Sequence, residues 1–443
     1  LRAEAFLALK SRALFKSSEG KFLRDVTKKI GAHLSINAAS IWTSGNTNIV
    51  GLTGAESNPD TFGTGGPVTV RPATSFAMSF DPGHEFEDVQ MQLYGFDTSN
   101  PGLPMPPTNP AVLNGFIASA NTAADAAKVP NDRQRVMEYF SAGSLPVLST
   151  LAQQFAVFNY WHSSLPGPTW PNRFFIHSAT SGGLTDSPGT DTVLGGFSFA
   201  NGTIYDRLKQ AGKNWRIYHD GTPQSIGIDS LRAEYLNPLT TNFREWNYFA
   251  EDVQNATLPE YTFIEPQYNV GSNYVGGTSM HPLDDVRLGE QLVKNVYELI
   301  RTSTVYWADT MLIITFDEHG GFFDHVAPPS TTPTGDDTKY SNPAHPFAFN
   351  LLGVRVPAIV ISAYTAAGTV IGTDPNDPTT IFDHTSVLKT VEDKFGLPSL
   401  TQRDKEANSL DVALNLGVAR TDPPTVLVDP MLGNLSDPAT LST

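Results

Sequence analysis

Residues 311–325, MLIITFDEHGGFFDH, constrain this chain more than any other stretch. Met311–Phe316 is a short apolar run rich in β-branched residues, the pattern of a strand buried on both faces of a parallel sheet. Its carboxyl end delivers Asp317 and Glu318, and function in open α/β sheets gathers at that end. Gly320 and Gly321 permit a sharp turn, which brings His319, Asp324 and His325 into the same loop. Adjacent carboxylates repel unless a cation or a proton lies between them. The cluster therefore reads as a metal site, with a polar loop capping a strand as the plainer alternative.

A chain of 443 residues that is 40% apolar can bury a large core, as one α/β domain or as a domain with lobes. No run approaches the length of a membrane span, so a soluble protein is expected. Lys and Arg number 29 against 45 Asp and Glu, and a net charge of -16 disfavours any nucleic-acid partner. The absence of cysteine excludes thiol chemistry, disulfides and Cys-ligated zinc, and leaves the redox compartment open. With 33 Pro and 36 Gly, long ordered loops should join the core elements.

Residues 1–30 depart from the acidic average, with 8 Lys/Arg and 3 Asp/Glu. Phe6, Leu7, Leu14, Phe15, Phe22, Leu23, Val26 and Ile30 can be grouped onto helical faces. A packing helix is expected there, with a basic amphipathic helix in peripheral membrane contact as the alternative. Without an initiating Met, or an apolar core followed by small residues, the segment does not read as an intact signal peptide. Residues 1–49 form an atypical basic segment, 50–400 the main domain and 401–443 a tail over it.

Within 38–110 the landmark is Asp81-Pro82-Gly83-His84, a tight turn that presents an imidazole at the mouth of the next element. Phe155–Trp161 has strand composition, and Pro166, Gly167 and Pro168 break it. A helix is predicted from Trp170 to about Ala179, with Pro171 in its first turn and Gly182 beyond its end. Thr169 would then stand at a helix amino terminus, where free N–H groups favour an alkoxide and later a phosphate ester. A hydroxyl nucleophile beside a divalent cation needs no histidine base; a simple N-cap role is the competing reading. Strands are expected at 214–219, 261–265 and 356–362. A helix follows His281, Asp284 and Asp285, with Leu288, Leu292, Val296, Leu299 and Ile300 on one face, and another spans 386–395. The alternation predicts an α/β fold, a mostly parallel central sheet sandwiched by helices.

DEHGGFFDH at 317–325, SMHPLDDV at 279–286, PGPTWPNR at 166–173, DPGH at 81–84 and GLTGAESNP at 51–59 together resemble the phosphoesterase family of bacterial phospholipases C, plant non-specific phospholipases C and related acid phosphatases. The similarity runs from about residue 50 to about 400. It implies an alkaline-phosphatase-like fold and hydrolysis of a phospholipid or other phosphoester through a covalent phosphothreonine. By the resemblance, Thr169 matches the nucleophile and Asp317 and Glu318 match metal ligands. His84 and His281 match histidines that hold phosphate or assist the leaving group. Asn172 is the candidate donor to phosphate oxygens, and His319 and His325, with Asp324, are placed at the substrate-binding end of the loop as supports.

The sequence departs from the family's pattern in two places. A strand ending in Glu-Asn-Arg-Ser-Phe-Asp-His, whose Glu and Asn supply further metal ligands, does not occur in these residues. Asn159 stands where relatives commonly carry Asp, which keeps shape and loses charge. One divalent ion is implied, and oxygen donors suit calcium, magnesium or manganese, with zinc also open. A phosphomonoesterase, or an inactive relative that binds lipid or a protein partner, are the alternatives. Asn201, Asn255 and Asn434 begin glycosylation triplets, and many relatives are secreted or membrane-associated, so an extracellular or membrane-peripheral location is expected.

Overall fold

The computed structural model describes residues 3–8, 49–63, 66–95, 111–374 and 376–435. Eight strands form one sheet: β1 (Ala3–Ala8), β2 (Ala156–Phe158), β3 (Trp215–His219), β4 (Phe243–Glu245), β5 (Tyr261–Glu265), β6 (Met311–Phe316), β7 (Ala358–Ser362) and β8 (Thr369–Ile371). Their spatial order is β8-β2-β7-β6-β1-β5-β3-β4. The β8–β2, β5–β3 and β3–β4 pairs are parallel. Where β7 meets β2 and β6, and where β1 meets β6 and β5, the pairing is antiparallel. Six strands therefore point one way, and β7 and β1 run against them. The α/β fold expected from the sequence is present, with six of the eight strands sharing one direction; because the two reversed strands lie inside the sheet, four of its seven pairings are antiparallel.

Every residue of β5, β6 and β7 is buried, so both faces of the sheet's centre are covered. That is why YTFIE, MLIITF and AIVIS read as near-continuous apolar runs instead of alternating. Helices α1 (Phe86–Tyr94), α2 (Phe116–Ala126), α3 (Pro146–Gln154), α4 (Thr169–Ser178), α5 (Val286–Thr302) and α6 (Thr385–Phe395) supply much of the covering. On α5, Leu292, Val293, Val296 and Ile300 are buried on one stripe, and Asp285 caps its start by accepting from Arg287 N at 3.1 Å. Helix α6 buries Val387, Leu388 and Val391 and ends at Gly396, whose φ of 65° is the left-handed cap glycine tolerates.

The amino-terminal expectation is corrected where it can be compared. Ala3–Ala8 is a strand between β5 and β6, not the start of a helix. The backbone groups of two neighbouring strand edges outweigh a helical grouping of side chains, because each edge must find partners. The rest of that helix falls outside the described residues. At the other end, Leu410, Ala413 and Leu427 are buried, and Tyr297 on α5 donates to Pro424 O at 2.7 Å. The buried Arg403 guanidinium donates to Ser164 O at 2.9 Å and lies over the Phe175 ring.

Helix α5 also carries Glu290, fully buried, with Oε1 accepting from Leu148 N at the start of α3 at 2.7 Å. Burial pushes this carboxyl up to about 8 from an ordinary 4.5. A carboxyl raised on folding is carried protonated, so its unfavourable contribution grows as pH climbs from about 4.5 toward 8. Glu290→Gln, which mimics the protonated acid, should match the wild type at pH 5 and exceed its stability at pH 8 by about 1–3 kcal/mol. Urea melts at both pH values measure this, and equal effects at the two would refute it.

Candidate active site

Asp317 and Glu318 leave the end of β6 fully buried. Glu318 N donates to Asp317 Oδ1 at 3.1 Å, Gly320 N donates to Glu318 Oε2 at 2.8 Å, and His384, at the start of α6, donates from Nε2 to Asp317 O at 2.7 Å. Burial, and then the Asp317 charge, drive the Glu318 carboxyl well above the usual carboxylate range. The pair stands as the sequence anticipated, two carboxyl groups whose joint ionisation requires nearby positive charge.

The glycines that follow have a specific task. Gly320 and Gly321 adopt φ of 70° and 77°, and a Cβ on Gly321 would meet Gly83 O at 2.4 Å and Pro82 Cβ at 2.9 Å. The DEHGG and DPGH loops thus cross at a point where no side chain fits. Gln92 on α1 clamps the crossing. Its Nε2 donates to Gly83 O at 2.7 Å and to Ser119 Oγ at 3.1 Å, which leaves Oε1 to accept from His319 Nε2 at 2.6 Å. His319 therefore faces the protein, corrected from a substrate-binding position to a strut between loops. Burial, and then the nearby His84, lower its pKa to about 3.

His84 is half-buried and donates from Nδ1 to Pro82 O at 2.7 Å, which leaves Nε2 for other work. His281, 1% exposed, points Nε2 at Asp81 Oδ2, 3.4 Å away, and its Nδ1 accepts from Leu283 N at 3.3 Å. The neutral ring thus carries its proton on Nε2. Burial is the main reason its pKa falls to about 3. Burial opposes the charge on Asp81, but the hydrogen bond to His281 and the proximity of His84 hold that carboxyl below its ordinary range. Asp81 in turn raises Glu318, so the carboxylate pair and both histidine loops share one electrostatic neighbourhood. His281 follows Met280, a buried residue held at φ 58°, and stacks on Tyr274 with ring centroids 3.6 Å apart. Such strain persists only where surroundings enforce it.

Helix α4 begins at Thr169, with Pro168 as its N-cap, so Thr169 is the first helical residue and not the cap. Thr169 is 6% exposed, and among the described residues no protein group hydrogen-bonds its hydroxyl. Asn172 does not present its amide to a ligand. Oδ1 accepts from Leu165 N at 3.1 Å, and Nδ2 donates to the carbonyls of Gly167 and Pro168 at 2.9 and 3.1 Å. It knits the PGP turn that aims Thr169, a correction to its reading as phosphate donor. Arg173, unassigned from sequence though inside PGPTWPNR, donates to Glu265 Oε2 at 2.9 Å and to Tyr268 at 2.5 Å. It also feels the Asp317 charge, which ties α4 to the end of β6.

The far side of the loop is structural. Asp324 receives both arms of Arg355, at 2.8 and 2.7 Å, and Arg355 also donates to Val50 O and Asn159 O. His325 lies 3.5 Å from Asp324 through Nδ1, and burial lowers its pKa; it supports Asp324, and among the described residues no contact directs it toward the carboxylate pair. Asn159 is more than a neutralised Asp: Nδ2 donates to Gly372 O at 2.6 Å, which a carboxylate could not do.

As a metal-ligand set the described residues are partial. The two carboxylates and the threonine hydroxyl are hard oxygen donors, yet among the described residues no group of three His, Asp or Glu is arranged to hold an ion.

Residues 31–398 match the sequence profile of the Phosphoesterase family. The chain belongs to that family. It is 36% identical over 354 residues to non-specific phospholipase C3 of Arabidopsis thaliana, covering 78% of this chain and 64% of the relative. Non-specific phospholipase C6 of the same plant is 36% identical over 390 residues, 86% of this chain and 70% of its own. Phospholipase C A of Mycobacterium tuberculosis H37Rv is 29% identical over 329 residues, 68% of this chain and 60% of its own. This family member thus spans about two thirds of the length of the plant relatives. Among solved structures, a Vibrio parahaemolyticus protein in the alkaline phosphatase superfamily aligns with a TM-score of 0.35 and 16% identity over 60% of this chain and 64% of that one.

Gln92→Leu should destabilise the protein by about 2–4 kcal/mol, because it orphans buried groups on both loops. Denaturant unfolding reads the loss, and a change below about 0.5 kcal/mol, the level of an ordinary surface substitution, would remove the clamp from the description.

Proposed function

We propose that the protein hydrolyses phosphoesters in the manner of a phospholipase C, cleaving the headgroup of a glycerophospholipid through a phosphothreonine at Thr169. The observation that carries this is Thr169, a buried residue at the amino end of α4 whose hydroxyl has no hydrogen-bond partner among the described residues, within a chain of the Phosphoesterase family. The names of its plant and bacterial relatives supply the substrate class.

Thr169 Oγ would attack phosphorus with its proton released to solvent and regained when the phosphothreonine opens, and the first-turn N–H groups of α4 would stabilise the negative oxygens of the transferred phosphoryl group. Breaking the bond to the leaving oxygen requires a proton. His84, whose Nδ1 is fixed by Pro82 O, would deliver it from Nε2 and take one back from the water that opens the phosphothreonine. Neutral His281, whose single N–H on Nε2 points at Asp81, would hold phosphate by turning that proton from Asp81 to a phosphate oxygen. Asp317 and Glu318 would hold one divalent cation together with Thr169. When bound, that ion would polarise the phosphate and lower the hydroxyl's pKa. Asn201, Asn255 and Asn434 are all exposed, in keeping with a secreted or membrane-peripheral setting.

With phosphatidylcholine and added divalent metal, wild type should release phosphocholine. Thr169→Ala should lower kcat by at least about 10³-fold and His84→Asn by about 10²–10⁴-fold. A phosphate adduct on Thr169 should appear by mass spectrometry in acid-quenched turnover. Calorimetric titration with Mn²⁺ should show one site, lost in Asp317→Asn. Faster cleavage of aryl phosphates than of lipid would select a phosphomonoesterase instead. A second reading, an inactive lipid-binding relative, draws on the lack of a three-residue ligand cluster among the described residues. Lipid binding with no turnover under any metal would establish it.

A further inference from the structure

Beside the amino end of α4 lies a cavity of about 800 Å³, which Tyr268, the partner of Arg173, also lines. Trp170, next to Thr169 in the chain, forms one wall, and Val193, Leu194, Ile226 and Val270 give an apolar lining that polar residues, Asp220 and Gln267 among them, interrupt. The rings of Phe174 and Phe197 hold the indole, at 5.9 and 6.2 Å, and a Cβ on Gly227 would meet Trp170 Cζ3 at 2.7 Å, so the wall is set by a glycine. Leu194 and Val270 are 71% and 55% exposed, which extends the apolar lining to the surface. Arg232, a cationic side chain of the lining, donates to the carbonyls of Val193, Leu194 and Ile226 and so closes the wall. An anionic ligand finds little here. An apolar one fits, in a volume typical of ligand pockets, about 300–1,000 Å³.

One polar group stands out in that lining. Gln224 is 7% exposed, and neither its Oε1 nor its Nε2 has a hydrogen-bond partner among the described residues. A buried carboxamide left unsatisfied is unfavourable and calls for a reason. Its position is not accidental: Gln224 N donates to Glu265 Oε2 at 2.7 Å, and Glu265 grips Arg173 on α4. The backbone that carries the carboxamide is thereby tied to α4.

We infer that this cavity is the acyl-glycerol subsite: it takes the apolar chains of the glycerophospholipid whose phosphate is attacked by Thr169, and Gln224 Nε2 donates to an acyl ester carbonyl. This rests on the phosphoester reading above, and it adds where the lipid lies and which bond it makes. Trp170 then serves both parts of the substrate, as the wall between the phosphate and the chains.

Calorimetric titration with short diacylglycerols tests it without requiring turnover. Affinity should rise about fourfold for each methylene buried, from dibutanoylglycerol to dihexanoylglycerol. Dihexanoylglycerol should bind about tenfold more tightly than its ether analogue dihexylglycerol, which lacks the carbonyls. Gln224→Leu should erase that ester preference, keep the affinity for the ether and melt no lower than wild type. Flat chain-length dependence, or an ester preference that survives in Gln224→Leu, would overturn the subsite. Ester-selective binding by a protein that hydrolyses no phosphoester would overturn the catalytic reading and leave the subsite in place.

Discussion

Mutual repulsion between Asp317 and Glu318 is the constraint on which the rest of the site depends. Both carboxyl groups are carried out of water by a strand with no exposed residue. Neither can move away, since β6 sits in the middle of the sheet and its loop is pinned by His384 and by the crossing at Gly83. A buried pair of this kind keeps both charges only when positive charge or donors converge on it. The fold sends Arg173 on α4 toward Asp317, and it brings Asp81, His84 and His281 from two further loops into the same neighbourhood.

Much of this was readable before any coordinates. The bounds of β5 and β6 agree with the apolar runs, because a strand buried on both faces leaves a continuous signature. The start of α4 was displaced by a single residue, since Pro171 is tolerated at the second or the third helical position and Thr169 suits either the cap or the first turn. The strand β1 and the reversed direction of β7, itself expected as a strand at 356–362, were not visible. Direction in a sheet is set by which edges remain to be paired, and no local pattern records it.

Side-chain roles were legible in kind more than in detail. Asn172, Asn159 and His319 were polar residues in promising motifs; the two amides turned out to brace backbone, and His319 to hold the side chain of Gln92. Long loops rich in Pro and Gly leave many carbonyls without ladder partners, and amides and imidazoles are the side chains that can satisfy them. Gln92 and Glu265 escaped notice for the converse reason. Gln92 sits inside an ordinary amphipathic helix, Glu265 at the end of a strand, and their partners are brought close only by the tertiary fold.

The crossing of Gly321 over Gly83 has a practical corollary. Two segments more than 200 residues apart along the chain behave as a single machined part, with Gln92 as its fastener. Anyone transplanting the DEHGG loop into another scaffold would have to carry Gly83, Gln92 and the turn around Pro82 with it, or the histidines would lose their alignment.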